Sequence, residues 1–347
     1  MPGIIARASV IPSGSLKTVN WQSKKILVTG AGGFIGSHLT ESLVELGAQV
    51  RAFIRYNSRN DHGYLDILPP EIKSSLDIHW GDLKDPNAVR KVVRDVDFVF
   101  HLGALIAIPY SYVNPMDFVQ TNIVGTANLL NACLESGIAR FVQTSTSEVY
   151  GTLHYAPIDE KHPIEGKSPY AASKIGADQI VLSYHRSFGL RATVIRPFNT
   201  YGPRQSLRAI IPTIITQALS SDCIRLGSLH PTRDFNYVMD TVKGLLKAVS
   251  LEQTIGETIN LGTGRETSIL QLCEMIRHLL GREIPIVQDQ VRVRPAASEV
   301  ERLICDNLKA RQMLEWQPRT TLEEGLKKTI EWVKHRSSHR KTVEYVI

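Results

Sequence analysis

Gly30-Ala31-Gly32-Gly33-Phe34-Ile35-Gly36 follows the apolar run Ile26-Leu27-Val28 and leads into a helical stretch near Ser37. A short buried strand, a glycine turn and a helix start, in that order, make a seat for a dinucleotide pyrophosphate. Glycines let the backbone approach the phosphates, and the helix start offers unpaired N–H groups and the positive end of the dipole. The spacing is G-x-x-G-x-x-G rather than the commoner G-x-G-x-x-G, and such a turn can also serve as a plain strand-to-helix connection. With strand and helix on either side it reads as a cofactor turn, with Gly30, Gly33, Phe34, Ile35 and Gly36 as its expected contacts.

Outward from this turn the chain alternates apolar strands with helical segments. Strands are expected at Ile26–Thr29, Gln49–Ile54, Ile78–Trp80, Val96–Leu102, Phe141–Thr144 and Thr193–Arg196, and helices notably at Thr126–Ser136 and Ser173–Phe188. Strand–helix alternation with short turns implies a doubly wound parallel sheet covered on both faces. Beyond Tyr201-Gly202-Pro203 helical pieces (Ile211–Leu219, Asp240–Ser250, Ile269–Leu280) mix with short strands at Thr258–Asn260 and Ile284–Pro285. The reading is therefore an α/β chain: an N-terminal extension over 1–23, a dinucleotide-binding domain over 24–200, a smaller mixed α/β substrate region over 201–335, and a tail over 336–347. Ligands of open α/β sheets sit at the carboxyl edge of the strands, where the second region would shape a pocket.

The bulk numbers fit such an enzyme. The chain has 347 residues, 43% hydrophobic and 21% charged, with a net charge of +6. Basic clusters are short and no aromatic-interleaved basic stripe occurs, so the excess reads as solvated surface or as suited to a small phosphorylated substrate, not to nucleic acid. Cys133, Cys223, Cys273 and Cys305 are far apart, which argues against a metal site or disulfide framework and for a reducing compartment. No apolar run reaches the roughly 18 residues a membrane span needs. A cytoplasmic protein is expected.

Tyr170-Ala171-Ala172-Ser173-Lys174 places a phenol and an ammonium one helical turn apart on one face. A nearby cation favours the phenolate, so Tyr170 is expected to have a lowered pKa and to accept a proton. A surface Tyr–Lys pair would look the same, but downstream of a dinucleotide turn the catalytic reading prevails. Thr144-Ser145-Thr146-Ser147-Glu148-Val149-Tyr150-Gly151 closes the fifth strand and aims hydroxyls and a carboxylate at the same edge. A polar strand exit with a helix cap is the plainer alternative.

Taken in order, Thr29-Gly30-x-x-Gly33-x-x-Gly36, Gly81-Asp82-Leu83, His101-Leu102-Gly103-Ala104, Thr146, Tyr170-x-x-x-Lys174 and Arg196-Pro197-Phe198-Asn199-Thr200-Tyr201-Gly202-Pro203 resemble the extended short-chain dehydrogenase/reductase family, in its nucleotide-sugar epimerase/dehydratase branch. The likeness runs from about Lys24 to Trp332. It implies a Rossmann fold, a tightly bound and recycled NAD(P), and a homodimer built on helices at Asn122–Glu135 and Ser173–Phe188. It further implies that Asp82 and Leu83 flank the adenine, with Leu102 and Ala104 beside the cofactor. Thr146 would bond the sugar 4-oxygen, Tyr170 would take its proton and Lys174 would hold the ribose. Asn199, Arg233, Arg294 and Glu299 would grip the substrate nucleotide. The acid expected at the end of strand two is absent from Phe53-Ile54-Arg55-Tyr56-Asn57-Ser58-Arg59; Arg55 and Arg59 can pair with a 2′-phosphate, which inclines the reading slightly to NADP.

Glu148 is a base that a simple 4-epimerase does not need and a 4,6-dehydratase does. Where glucose-type dehydratases carry an acid before that glutamate, this chain has Ser147, a pattern similar also to UDP-glucuronate decarboxylases. Ile108-Pro109-Tyr110-Ser111-Tyr112, Ser168–Asp178 and Leu226–Asp234 resemble dehydratases of nucleotide-linked N-acetylglucosamine, of the legionaminic acid pathway type. The expected activity is thus a UDP- or GDP-N-acetylglucosamine 4,6-dehydratase, with decarboxylase and 4-epimerase as alternatives. A non-catalytic NAD(P)-sensing scaffold is the different class, disfavoured because Thr146, Tyr170 and Lys174 are all present.

Overall fold

The structure, a computed structural model, describes residues 19–293 and 299–337. Six strands are β1 (Lys25–Thr29), β2 (Gln49–Arg55), β3 (Asp77–Gly81), β4 (Phe98–His101), β5 (Arg140–Thr144) and β6 (Ala192–Pro197). They form a parallel sheet in the order β3-β2-β1-β4-β5-β6, and the strand Thr258–Leu261 adds a seventh beside β6. The order reverses between β1 and β4, where Thr29 lies opposite His101. Ligands of this Rossmann arrangement lie at that switch point, and the glycine turn is the segment that leaves β1 there.

Alternation explains why these strands are central. Ile26 and Val28 face a core that includes Leu39 and Leu43 of the helix Phe34–Glu45, together with Val242, Leu245 and Leu246. Leu27 faces the opposite core, with Val89, Val92, Leu129, Leu130 and Val181. Both faces are covered, as a parallel sheet requires, and each such buried side chain is worth about 1.5–3 kcal/mol.

Two boundaries differ from the sequence expectation in ways that matter. The helix expected from Ser173 begins at Pro169, because Ser168 caps it by accepting the Ala171 N–H (3.1 Å) and proline is preset for the first helical position. Tyr170 therefore stands in the first turn of that helix. The strand expected at Thr258–Asn260 within the C-terminal half is the seventh strand of the main sheet, with Ile259 beside Ile195. The remaining C-terminal elements enclose their own core of Ile211, Ile214, Ile215, Leu272, Ile276 and Leu326. Among the described residues no helix is long and apolar enough to cross a membrane.

The glycines fix the distance between β1, β4 and the helix Phe34–Glu45. Gly30 has φ +70°, and a Cβ there would lie 2.8 Å from the Gly103 nitrogen; one on Gly36 would collide with the Gly30 carbonyl oxygen. Gly36→Ala should push the helix off the turn and cost about 1–3 kcal/mol, by the overpacking rule. A urea titration would read this as a lowered midpoint. An unchanged midpoint would mean that this close approach is not required.

Candidate functional site

A directed chain of hydrogen bonds braces the floor of the site. Thr126 Oγ1 donates to the Asn122 carbonyl (2.5 Å), leaving a lone pair for His101 Nε2–H (3.0 Å). On the other side of the ring, Thr29 Oγ1 accepts the Gly103 N–H (3.0 Å) and donates to His101 Nδ1 (2.7 Å). Each hydroxyl has one proton, so the chain runs in one direction and holds His101 neutral. Burial, with the Lys174 charge adding to it, draws the His101 pKa down to about 3.

Asn122 completes the brace, and sequence reading missed it. Its Oδ1 accepts the Leu105 N–H (2.8 Å), and its Nδ2 donates to the Leu105 carbonyl and to Ser173 Oγ (both 2.9 Å). One buried amide thus ties the loop after β4 to the helix carrying Tyr170. It lies in the π-helical turn Val119–Val124, a wide-turn geometry that often marks functional sites and has no local sequence signature.

Above this floor the glycine turn has the form of an anion seat. Gly33 occupies the N-cap of the helix Phe34–Glu45 with no side chain to bond its first turn. Leu83 is buried against Gly103 and Gly125, where any Cβ would meet it at 2.9 and 2.8 Å. Leu102 and Ala104 are half-buried on the same loop. Asp82 follows β3, its Oδ1 accepting the Lys84 N–H (2.9 Å). This open backbone cradle, flanked by an apolar wall and a carboxylate, fits a dinucleotide.

At the tip of β2 the side chains divide. Asn57 is spent inside its own loop, donating to the Asp61 carbonyl (2.7 Å) and accepting from the backbone of Arg59 and Asp61. Arg59 is largely exposed and faces Asp61 at 3.6 Å. Arg55 is exposed and close enough to Lys84 to oppose its charge.

The chemical groups meet at the end of β5. Thr146 accepts the Glu148 N–H (3.2 Å) and so caps the short 3-10 turn Ser147–Tyr150. Tyr170 is buried with its ring edge-on to Phe118 at 6.3 Å. Burial pushes the Tyr170 pKa well up; the neighbouring Thr146 side chain pulls it back, and the Glu148 and Asp178 carboxylates push it further up. The expectation that Lys174 would lower it is not met in the free protein. The Lys174 ammonium is turned to the Thr144 carbonyl (2.8 Å), and burial draws its own pKa down to about 8. Ser147 is buried and Glu148 half-buried beside them. Thr146, Glu148, Tyr170 and Lys174 are thus brought together.

The expected substrate residues are placed unevenly. Asn199 Oδ1, on the strand Asn199–Tyr201, is buried without a partner among the described residues. Arg233 is buried, donating to the Thr232 carbonyl (2.9 Å) and facing Glu299 at 3.5 Å. Arg294 lies outside the described residues. The apolar residues considered for a subunit contact resolve differently: Leu129, Leu130, Cys133 and Val181 are interior, while Ile180 and Tyr184 are half-buried against the same core.

Comparison with known proteins agrees with this arrangement. The family model described as GDP-mannose 4,6 dehydratase matches residues 27–329. A putative UDP-glucose 4-epimerase of Methanocaldococcus jannaschii is 33% identical over 318 residues, 90% of this chain and 99% of its own. UDP-glucuronic acid decarboxylase 1 of Xenopus tropicalis is 31% identical over 338 residues, 93% of this chain and 75% of its own. A dTDP-glucose 4,6-dehydratase of Streptomyces venezuelae, solved with NAD bound, superposes with a TM-score of 0.80 at 29% identity, covering 90% of this chain and 98% of its own.

Tyr170→Phe removes one hydroxyl and leaves the ring contact with Phe118 intact. Turnover of a nucleotide sugar should fall by roughly 10²–10⁴-fold, the usual contribution of a positioned proton acceptor, with the thermal midpoint little changed. Unaltered turnover would remove Tyr170 from the chemistry.

Proposed function

The chain belongs to the NAD-dependent epimerase/dehydratase family of nucleotide-sugar enzymes, and from that premise we propose that it is a 4,6-dehydratase of UDP- or GDP-N-acetylglucosamine. The observation that carries the reading is Glu148: a carboxylate on the turn after β5 whose charge is felt at Tyr170, and whose backbone N–H is capped by Thr146. A 4-epimerase needs no such base.

In this reading the backbone of Gly30–Gly36 holds the pyrophosphate, Asp82 and Leu83 the adenine, and Lys174 the ribose. NAD(P), when bound, supplies a hydride acceptor at C4, the return of that hydride at C6, and positive charge that favours the phenolate. Tyr170 takes the proton of the 4-hydroxyl, which Thr146 orients. The 4-ketone acidifies C5–H, and Glu148 removes that proton. The C6–oxygen bond then breaks, and we assign to Glu148 the proton that makes the departing hydroxide water, since Ser147 stands where glucose-type enzymes carry an acid. Tyr170 releases the proton it took and a solvent-exchanged proton is delivered to C5, while the hydride taken from C4 would be returned at C6, so the sugar loses one water and Tyr170 and Glu148 end in their starting protonation states.

The same serine supports a second reading, UDP-glucuronate decarboxylation, which requires no acid at C6. Exposed Arg55 and Arg59 at the tip of β2 support NADP over NAD through attraction for a 2′-phosphate. A homodimer through the helices Gly125–Ser136 and Pro169–Phe188 belongs to the proposal too; Val124 and Phe188 leave apolar surface exposed there.

Incubation of the purified protein with UDP-N-acetylglucosamine, GDP-N-acetylglucosamine and UDP-glucuronate, followed by product mass, tests the reading. One hexosamine should lose water. Loss of carbon dioxide from the glucuronate, with both hexosamines untouched, would replace dehydration by decarboxylation.

A further inference from the structure

The helix that carries Tyr170 and Lys174 carries a third ionisable residue one turn further on. Asp178 is fully buried and four residues beyond Lys174, hence on the same face. Its Oδ2 accepts Ser145 Oγ–H (2.7 Å) and Arg196 Nε–H (3.1 Å), while its Oδ1 is buried without a partner among the described residues. Arg196 turns its other edge away, donating Nη1–H to the Tyr150 hydroxyl (3.0 Å), which in turn donates to Asn260 Oδ1 (2.7 Å).

Lys174 is itself only 4% exposed, and the hydrogen-bond partner seen for its ammonium is a neutral carbonyl, Thr144. A buried ammonium held by one dipole is costly, and the usual outcome is loss of the proton. Two of the groups that interact with it are Asp178, on its own helix, and His101, on β4. Arg196 on β6 acts on Asp178, whose own pKa burial pushes up, and Glu148 and Asp178 both push the pKa of Tyr170 up. His101 is held neutral by its hydrogen-bond chain. Asp178 is therefore the carboxylate that opposes the burial of Lys174.

We propose that Asp178 is a positioning residue: its carboxylate, clamped by Ser145 and Arg196, keeps Lys174 protonated and in place beside Tyr170. The idea rests on the reading of Tyr170 and Lys174 as the redox pair of the proposed reaction. Burial pulls the Lys174 pKa down to about 8, with Asp178 pulling it back up. The ammonium is thus present below that pH and lost as pH rises through it. Without the carboxylate the loss moves to lower pH.

Asp178→Asn alone strands Arg196 as a buried unpaired cation and endangers folding. The double variant D178N/R196M removes both charges and is compared with Arg196→Met alone, so that the difference between the two variants gives the effect of the Asp178 carboxylate on Lys174. The Lys174 titration is read by NMR of lysine labelled with ¹³C at Cε, its resonance identified by its loss in Lys174→Met, beside the pH profile of turnover. In D178N/R196M the midpoint should lie about one unit or more below that of R196M, a tenfold lower ratio of ammonium to amine at a given pH. The alkaline limb of turnover should move with it. An unmoved midpoint, or a turnover profile restored to that of the unsubstituted protein, would overturn the proposal and leave Asp178 a structural partner of Arg196. The unsubstituted protein supplies a check that needs no variant: the ¹³Cγ signal of Asp178 must be that of a carboxylate at neutral pH, and a protonated carboxyl would overturn the proposal outright. If the redox reading itself is wrong, the Lys174 midpoint still shifts but no turnover limb follows it, so the two failures are distinguishable.

Discussion

Two backbones must touch at the ends of β1 and β4 for this site to exist. Gly30 turns with positive φ against Gly103, and no side chain fits between them. Thr29 and His101, opposite each other in the sheet, bond across the same junction, and the chain continues through Thr126 to Asn122. Asn122 passes the constraint to the helix Pro169–Phe188 by way of Ser173. The glycine contact is therefore connected, through a chain of hydrogen bonds, to the helix that carries Tyr170.

At the other end of that helix the constraint is electrostatic. Tyr170 and Lys174 are both buried, and burial opposes the charged form of each: it pushes the phenol up and draws the ammonium down. At neutral pH the ammonium persists and the phenol keeps its proton. Positive charge beside the phenol favours its ionisation, which makes the protonation of Lys174, and the carboxylate proposed to sustain it, part of the same arrangement.

Much of this could be read in the sequence. The strands of the main sheet were legible because apolar runs of the right length ended in turn residues, and the strand-to-helix turn because four glycines fall within Gly30–Gly36, after a strand and leading into a helix. The start of the Tyr170 helix was written in Ser168-Pro169, a cap followed by a first-turn proline, but the apolar pattern further on drew attention away from it. Asn122 and Asp178 were not legible as site residues. One acts from a π-helical turn that leaves no periodic mark, and the other is a charge whose role depends on burial that only the packed helix reveals. The acceptor that the Lys174 ammonium reaches, the Thr144 carbonyl, was not legible for a related reason. A four-residue spacing puts two side chains on one face but does not say which acceptor the longer one reaches.

The central claim is that a hydride leaves C4 of the sugar and returns to C6 of the same molecule, with Glu148 moving the C5 proton between those events. A nucleotide-linked N-acetylglucosamine carrying deuterium at C4 tests this directly, with the product examined by NMR. The account predicts a 4-keto product with the deuterium at C6 and a solvent-derived hydrogen at C5. Deuterium that remains at C4, or product with C6 still bearing its oxygen, would contradict it.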